Sequence, residues 1–577
     1  MKPFNHNYFL GYVNQVSPQF IKIHFPSSSL LEKFNHNGTF YSGGNVGNFI
    51  VVEGEEFGFL ARIIEIDLPD SEKKLMTEKA IQNDETPFHP SGKAELLLSF
   101  SVFEPKKIEK TVSKYPAIGA KVYSCSDAQI AEYIKEFGAK KDDENNVYAD
   151  LGKLTANDAK CRVSLNSIFG RHCAIVGTTG GGKSWTVAKL ISETLEKTNN
   201  KIILIDATGE YYTLGGKSLI LGEDAYFPYQ KLTINDLFFL LRPTGQSQRP
   251  VLIEAIRSLK IRRFANNNIN CNKTSTQQFK EHYTDQNTIT KNGKNKEKFF
   301  NFYQDNIEKI EDGNCNFDIN YLAQQIKEEC VSDNPFNSND YSKWGNFYAK
   351  TYDYQTSLIS RITDLINNDN FNKVLGFNNV TANNKSIVYE IDSFLKDDNK
   401  EQMLRISFEE ISSSFSIKEI TANALASFLL NLARKGKFKE NCITIILDEA
   451  HQFLNKNVKD EFFETQTLDS FDLISKECRK YGLFLCLSTQ MPRDIPVGTL
   501  SQMGTFIVHR LINELDKKSI ENACSSANKN ALSFLPILGE GEALLVGVDF
   551  PMPLIIKIDE PSKKPNSKTP KFKPKTI

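Results

Sequence analysis

One segment of the chain has the composition and spacing of a phosphate-binding loop: Gly177, Thr178, Thr179, Gly180, Gly181, Gly182, Lys183 and Ser184. An apolar run ends just before it and an amphipathic stretch follows it, which is the strand-loop-helix context that such a loop requires. Backbone N–H groups of a glycine-rich loop can surround phosphates, while Lys183 brings a positive charge and Ser184 a hydroxyl ligand for Mg²⁺. We therefore predict that residues 177–184, with Trp185 directly after them, bind ATP.

A second constellation is a pair of carboxylates at the end of an apolar run. Asp448 and Glu449 follow residues 443–447, so Asp448 is predicted at the tip of a buried strand, where it can hold Mg²⁺. Glu449 beside it can polarise an attacking water. The alternative is a pair of surface acids at a helix start, where acids are favoured for electrostatic reasons. The order of apolar run and acids favours the catalytic interpretation.

A polar amide ends the next predicted strand. Gln490 follows residues 483–489 and can contact both a γ-phosphate and an attacking water, although a strand-end glutamine facing solvent is the alternative. Residues 448–451 spell the DEAH motif of two-lobed helicases, but only 126 residues follow His451, too few for a second lobe and a tail. We therefore predict one ATPase lobe per chain.

A single lobe needs a neighbouring subunit to complete its catalytic site, and an arginine is the usual contribution. Three arginines lie at the ends of predicted core elements: Arg171, Arg479 and Arg510. Each is a candidate catalytic residue that neutralises charge in the transition state. A solvated surface arginine is the alternative for each of them.

The elements that must position these residues change character along the chain. Short alternating runs with glycine turns predict a small β-barrel at 1–125, and strands alternating with helices predict an α/β core. The predicted fold is a RecA-like P-loop ATPase core of the ASCE type with an N-terminal barrel and a helical insertion. Predicted core strands include 201–208, 386–392, 443–451, 483–490, 504–510 and a run near 545. The predicted divisions are 1–125 (barrel), 126–226 (first part of the core), 227–385 (helical insertion, with a mobile loop at 265–300), 386–560 (second part of the core) and 561–577 (disordered basic tail).

Composition excludes several classes of protein. Seventy Lys plus Arg balance 71 Asp plus Glu for a net charge of −1, so the chain is not a polycation that coats nucleic acid non-specifically. Its ten cysteines show no C-x-x-C spacing, which argues against zinc and a disulfide framework. No run approaches the roughly 18 apolar residues of a membrane span, so we expect a cytoplasmic protein without a membrane partner.

Taken together, these residues resemble the HerA family of hexameric DNA-translocating ATPases, related to FtsK and the conjugative-pump ATPases. Besides the glycine-rich loop, the resemblance rests on Asp206-Ala207-Thr208-Gly209-Glu210-Tyr211, Asp448-Glu449-Ala450-His451, Arg479-Lys480-Tyr481-Gly482, Ser488-Thr489-Gln490-Met491-Pro492, Ser501-Gln502, Arg510-Leu511, Leu535-Pro536 and Gly539-Glu540-Gly541-Glu542-Ala543. The N-terminal β region is similar to the family's HAS barrel. The resemblance implies that Asp206 and Glu210 belong to the ATP site, that Arg479 acts on a neighbour's ATP, and that Arg171 senses phosphate.

The resemblance also implies an assembly and partners. It implies a homohexamer with ATP and Mg²⁺ at subunit interfaces, double-stranded DNA in a basic central pore, and a partner nuclease or other effector docked at the barrel side. The setting would be DNA end processing or, in a bacterial member, anti-phage defence. One alternative is an ATP-dependent ring scaffold that activates an effector with little translocation. A conjugation-type pump is disfavoured by the absence of a membrane anchor.

Overall fold

The structure is a computed structural model that describes residues 4–32, 34–36, 39–41, 43–74, 76, 88–105, 108–109, 114–135, 137–138, 146–156, 159–267, 280–284, 287–335, 340–378, 384–396, 399–412, 416–454, 457–459, 465–524 and 529–567. The chain divides into two compact units. Unit 1 comprises Met1–Ile202, Asn441–Leu447 and Phe484–Ile577, and unit 2 comprises Ile203–Glu440 and Asp448–Leu483. Among the helices within these described ranges, none combines the length and apolar character needed to cross a bilayer.

In chain order the strands are β1 (Phe9–Val16), β2 (Phe20–His24), β3 (Phe34–His36), β4 (Thr39–Tyr41), β5 (Phe49–Val52), β6 (Phe57–Asp67), β7 (Ser91–Ser101), β8 (Ile108–Glu109), β9 (Lys121–Ser124), β10 (Tyr148–Leu154), β11 (Lys160–Ser164), β12 (Cys173–Val176), β13 (Lys201–Asp206), β14 (Lys217–Ile220), β15 (Ala225–Tyr226), β16 (Lys385–Ser386), β17 (Met403–Ser407), β18 (Ile443–Leu447), β19 (Asn457–Lys459), β20 (Thr465–Thr467), β21 (Leu483–Thr489), β22 (Thr505–Val508), β23 (Glu542–Gly547) and β24 (Leu554–Ile558). The α-helices are α1 (Asp127–Ile134), α2 (Leu165–Phe169), α3 (Lys183–Lys197), α4 (Ile234–Leu241), α5 (Gln248–Asn267), α6 (Lys296–Asp305), α7 (Ile307–Ile310), α8 (Leu322–Glu329), α9 (Ala349–Asn367), α10 (Asp369–Leu375), α11 (Ile387–Phe394), α12 (Ile417–Arg434), α13 (Ser470–Glu477), α14 (Val497–Leu500), α15 (Glu514–Ala523) and α16 (Lys529–Leu532).

The N-terminal strands of unit 1 close into an antiparallel barrel of six strands, in the order β2-β1-β9-β5-β6-β7, with β2 paired back onto β7. Alternate side chains point inward, as the period of two requires, and pack an apolar interior. The buried interior consists of Leu10, Val13, Ile21, Ile23, Phe25, Ile50, Val52, Phe59, Ala61, Ile63, Ala94 and Val122. The barrel predicted from the sequence is confirmed, and β6 has the predicted bounds.

The remaining strands of unit 1 form a sheet in the order β11-β10-β24-β23-β22-β12-β21-β18. β12 pairs in parallel with both β21 and β22. From β22 outward the pairs with β23, β24, β10 and β11 are antiparallel, so the run near 545 does not continue the parallel pairing of β12 with its neighbours. A short turn joins β23 to β24, and such a connection can only join antiparallel strands.

Unit 2 contains β13 from Ile203 onward, β17 and β14, in that order. Residues 386–392, predicted as a strand, lie almost entirely in α11, and β17 is a strand that the sequence analysis missed. Ile387, Ile391 and Phe394 are buried on one face of α11 at helical spacing, which outweighs the local run of β-branched residues.

Most of unit 2 between 227 and 385 is helical, as predicted. A cluster of Ile261, Ile289, Phe299, Phe302, Ile310 and Trp344 packs part of this region. The loop predicted at 265–300 is wrong at its C-terminal end because α6 begins at Lys296, while residues 268–279, with Cys271, and 285–286 lie outside the described residues. Of the predicted disordered tail, Pro561 and Pro565 are buried in unit 1 and residues 568–577 lie outside the described range.

Candidate ATP site

Three strands of unit 1 end in register at one edge of the sheet. Val176 of β12 is aligned with Thr489 of β21 and with Val508 of β22. The residues that follow these strand ends are therefore Gly177, Gln490 and His509. The carboxyl edge of parallel strands is where α/β proteins bind their ligands, so this register brings the phosphate loop and Gln490 together.

The glycine-rich loop has the backbone of an open anion cradle. Gly180 and Gly182 adopt left-handed conformations with φ of 74° and 111°, which side chains other than glycine rarely tolerate. Gly182 is also the N-cap of α3 and offers no capping side chain, and the start of a helix is where backbone N–H groups and the helix dipole favour an anion. The loop therefore fits a phosphate group by its own geometry.

The predicted polar residues of the loop lie around this cradle. Lys183 is buried, and its Nζ donates to the Thr178 carbonyl at 3.4 Å. The Thr179 hydroxyl donates to Gln490 Oε1 at 2.5 Å, which supports Gln490 in the predicted sensor position. Ser184 is half-buried, and the indole of Trp185 is exposed, with Lys564 Nζ 5.6 Å from its ring centroid.

His509, which the sequence analysis did not select, forms the floor of the loop. Its side chain is fully buried, and a Cβ placed on Gly177 would lie only 2.5 Å from the His509 Cβ. Nδ1 lies 2.9 Å from the Glu542 carbonyl and Nε2 lies 2.8 Å from the Thr186 hydroxyl. A carbonyl can only accept, so Nδ1 carries the proton and Nε2 accepts from Thr186. Burial lowers the pKa of His509 to about 4, which keeps this tautomer neutral.

Two of the candidate arginines belong to unit 1. The Arg510 carbonyl accepts from the N–H of Thr178 at 3.0 Å, so its main chain supports the loop while its side chain is exposed. Arg171 lies at the opposite end of β12 from the loop, roughly 13 Å away along a four-residue strand. Its Nε pairs with Asp549 at 2.9 Å. Within its own chain, Arg171 is thus far from the phosphate cradle.

Unit 2 carries the acidic pair. Asp448 follows β18, is buried, and its N–H donates to the Ile205 carbonyl at 3.0 Å. Glu449 has a left-handed backbone with φ of 45°, which is uncommon for a residue other than glycine and marks stored strain. Its Oε2 lies 3.3 Å from His451 Nδ1. Strain at the predicted catalytic carboxylate is typical of functional positions.

Asp206 differs from its expected role in nucleotide binding. It is fully buried, and Oδ1 accepts from the N–H groups of Thr208 and Gly209. Oδ2 accepts from the Tyr211 N–H at 3.1 Å and from Arg405 Nε at 2.7 Å. Four donors occupy the carboxylate, which leaves no oxygen for a ligand. Asp206 therefore holds the 206–211 loop in place rather than binding ATP.

The remaining predicted residues of unit 2 are more accessible. Glu210 is half-buried in the 206–211 loop. Arg479 is exposed on a 3-10 helix at Cys478–Tyr481, and within the described ranges its side chain makes no hydrogen bond or ion pair. This is the placement expected of an arginine that acts outside its own chain. Sequence reasoning missed Arg405, which pairs with Asp206, and it quoted Tyr211 in the 206–211 motif without giving a role to its hydroxyl, which contacts Asp448.

Each unit offers a hard oxygen ligand of the type that Mg²⁺ prefers: Ser184 in unit 1 and Asp448 in unit 2. Within the described part of the chain no group of three or more His, Cys, Asp or Glu could form an all-protein metal cage. Mg²⁺ is commonly held by one or two protein oxygens together with phosphate and water, so a small donor set is sufficient. When bound, the metal would neutralise charge on the phosphates.

Comparisons with known proteins agree with this chemistry. Residues 149–343 match the family model described as the central domain of the helicase HerA. The chain is 25% identical over 427 residues to the DNA double-strand break repair helicase HerA of Sulfurisphaera tokodaii, covering 71% of this chain and 69% of that protein. It is 24% identical over 545 residues to a probable helicase of Methanocaldococcus jannaschii, covering 88% of each.

Solved structures with similar folds share less sequence. VirB4 of Thermoanaerobacter pseudethanolicus aligns over 73% of this chain and 98% of its own, with 15% identity and a TM-score of 0.41. The bacterial conjugative coupling protein TrwB, bound to an ATP analogue, aligns over 78% of this chain and 95% of its own, with 13% identity and a TM-score of 0.42. The match to the HerA central domain and the phosphate cradle together indicate a P-loop ATPase, an enzyme that hydrolyses ATP, and the chain is similar to HerA helicases over most of its length.

Proposed function

We propose that this protein is an ATP-driven DNA translocase that works as a homohexameric ring, with duplex DNA in the central channel and ATP and Mg²⁺ bound where subunits meet. The observation that carries the proposal is the exposed Arg479, without a side-chain partner in the described ranges, in a chain with one ATPase lobe. Transition-state charge in single-lobe ATPases is usually met by an arginine from a neighbour.

Three further features support this proposal. Curated relatives that match most of the chain are named as helicases. The cradle at Gly177–Ser184 and the strained Glu449 supply the phosphate-binding and water-polarising parts of an ATPase. A net charge of −1 is compatible with a ring that gathers basic groups along its channel and keeps a balanced outer surface.

The first test is whether duplex DNA stimulates ATP hydrolysis. We expect stimulation that weakens steeply with salt, because phosphate contacts release counterions. Lys183→Ala, which removes the charge in the cradle, is the inactive control. Mass measurement with and without ATP and duplex DNA should give six copies of the chain. A monomer under all conditions, or ATPase activity indifferent to DNA at every salt concentration, would contradict the proposal.

Sharing of the site can be tested by mixing two inactive variants. An Arg479→Ala subunit retains Glu449, and a Glu449→Gln subunit retains Arg479. If Arg479 acts on a neighbour's ATP, some interfaces in a mixed ring regain both groups and activity returns. If Arg479 serves only its own subunit, every site lacks one group and the mixture stays inactive. Arg171→Ala and Arg510→Ala, mixed in the same way, report whether either arginine plays a similar part.

We further propose that a partner nuclease or other effector docks at the barrel side, in DNA end processing or anti-phage defence. Phe103 and Ile118, 83% and 73% exposed, give the barrel apolar contact points. A nuclease encoded beside this chain should bind the wild type, and Phe103→Asp or Ile118→Asp should weaken binding while ATPase activity persists. Unchanged binding by both variants would show that the docking surface does not include Phe103 or Ile118.

A ring scaffold is the second candidate function. In this alternative, ATP drives assembly and presentation of an effector, and the exposed arginines serve mainly to join subunits. It predicts ATP-dependent hexamers whose ATPase activity ignores DNA and whose partner is activated without translocation. The DNA-stimulation experiment separates the two candidates directly.

A further inference from the structure

Tyr211 is a buried phenol whose hydroxyl contacts the acidic pair of unit 2. Its side chain is fully buried, and its Oη donates to Asp448 Oδ1 at 3.2 Å. Resting on the proposed Mg²⁺-ATP chemistry, we propose that Tyr211 is a positioning residue that holds the Asp448 carboxylate in the orientation needed to bind Mg²⁺ with ATP.

The main chain of Tyr211 is fixed by the turn that surrounds Asp206. The Tyr211 N–H donates to Asp206 Oδ2 at 3.1 Å, and the N–H groups of Thr208 and Gly209 donate to Oδ1. One carboxylate thus ties together three amides of the 206–211 loop. The turn therefore fixes the main-chain position from which the Tyr211 ring reaches Asp448.

Asp206 is held in turn by a buried arginine. Arg405 Nε donates to Asp206 Oδ2 at 2.7 Å, and its terminal nitrogens donate to Ser218 at 2.8 Å and to Glu409 at 3.3 Å. Arg405 is almost completely buried, so water competes little with these bonds. The chain of contacts therefore runs from β17 through the 206–211 loop to Asp448.

A hydrogen bond to one oxygen restricts what the carboxylate can do. With the phenol on Oδ1, the rotation of the Asp448 carboxylate is restricted. Removing the phenol would let the carboxylate rotate, and ordering it again would weaken metal binding. Partners behind a metal ligand act in this way in metal sites generally.

The competing explanation is that Tyr211 only fills space. A buried tyrosine needs a partner for its hydroxyl in any case, and Asp448 would then be a convenient acceptor. The two explanations differ in one measurable respect: only a positioning residue changes how nucleotide binding depends on Mg²⁺.

The test compares Tyr211→Phe with Tyr212→Phe in the full-length protein. Tyr212 is the next residue and is 58% exposed, so its variant is a matched loss of one phenol hydroxyl. Binding of a fluorescent ATP analogue is titrated with Mg²⁺ and repeated in EDTA. For Tyr211→Phe we expect unchanged affinity in EDTA and a roughly three- to tenfold higher Mg²⁺ concentration at half-maximal effect, the range of one lost hydrogen bond. Tyr212→Phe should behave as wild type.

Two further variants test whether Tyr211 acts through Asp448. In an Asp448→Asn background, Tyr211→Phe should cause no additional shift, because the oriented carboxylate is already absent. Arg405→Lys keeps the charge but loses the forked contacts to Ser218 and Glu409. It should raise the Mg²⁺ concentration at half-maximal effect by a smaller factor, and it provides the test should Tyr211→Phe fail to fold. Mg²⁺ curves that match wild type for Tyr211→Phe or, should it not fold, for Arg405→Lys would overturn the inference. A wild-type protein without Mg²⁺-dependent nucleotide binding would instead overturn the proposed function.

Discussion

Acid should weaken unit 1 through His509, and the size of the effect follows from its burial. An exposed histidine has a pKa near 6.5, and burial lowers the pKa of His509 to about 4. Between these two values the unfolded chain takes up a proton that the folded chain refuses. Stability is therefore unaffected above about pH 7 and decreases as the pH falls from 6.5 toward 4.

The expected loss can be worked out for one pH. At pH 5, a histidine with these two pKa values favours the unfolded state by about 2 kcal/mol, since one pKa unit corresponds to about 1.36 kcal/mol. His509→Asn removes this titration, and its amide can still donate to the Glu542 carbonyl. The variant loses the Thr186 contact and should be less stable than wild type at pH 7.5. At pH 5 the difference in free energy of unfolding between wild type and His509→Asn should be smaller by about 2 kcal/mol.

Thermal unfolding at pH 7.5, 6 and 5 measures this gap. About 2 kcal/mol corresponds to roughly 4–8 °C in Tm for a folding unit of 150 to 250 residues, so the larger unit 1 should shift by an amount at or below the lower end of this range. His282 in unit 2 is also fully buried, and burial lowers its pKa to about 4. The stability difference between wild type and His282→Asn should therefore also become smaller from pH 7.5 to pH 5. Only the His509 variant should also lose affinity for ATP. An equal stability difference between wild type and His509→Asn at pH 7.5 and pH 5 would refute the lowered pKa, and with it the neutral state, of His509.

Three other outcomes are expected. Glu449→Gln should bind ATP normally while single-turnover hydrolysis falls by about 10²–10⁴-fold, the usual contribution of a general base; unchanged hydrolysis would remove Glu449 from the mechanism. Arg405→Met should cost about 3–5 kcal/mol in denaturant unfolding because Asp206 stays buried without its charge partner. Glu95→Ala should cost a similar amount by leaving Arg62 unpaired on the buried outer face of the barrel wall, yet leave ATP affinity intact; a loss of affinity would show that the barrel influences the cradle.

The parts of the fold that the sequence predicts well are those set by local patterns. β6 is one continuous run of mostly apolar, β-favouring residues, buried without interruption from Gly58 to Ile63 and alternating only near its end, so its bounds at Phe57 and Asp67 are readable without the structure. The phosphate loop is readable for the same reason, because its glycines, Lys183 and Ser184 are contiguous. α11 was misread because three of its first five residues are β-branched, and only burial at helical spacing identifies it.

Buried residues that hold the predicted ligand-binding groups in place could not be found from local sequence patterns. His509 acts on Gly177 because β22 lies beside β12 in one register, and the two segments are more than 300 residues apart in the chain. Arg405 looks like a polar interruption of an apolar run until β17 is placed beside β14, where it reaches Ser218. Their types gave one usable signal: a histidine or arginine inside a strand that is otherwise buried must have a partner there.

A similar arrangement occurs in each unit taken by itself. In unit 1, a neutral His509 is satisfied on both nitrogens and supports the glycine-rich loop. In unit 2, Asp206 is satisfied by four donors and supports the loop that carries Tyr211. In each case a ligand-binding group depends on a buried polar residue that touches no ligand itself. Because a half-satisfied buried group is costly, small changes behind either loop should alter nucleotide binding more than equal changes on the exposed surface.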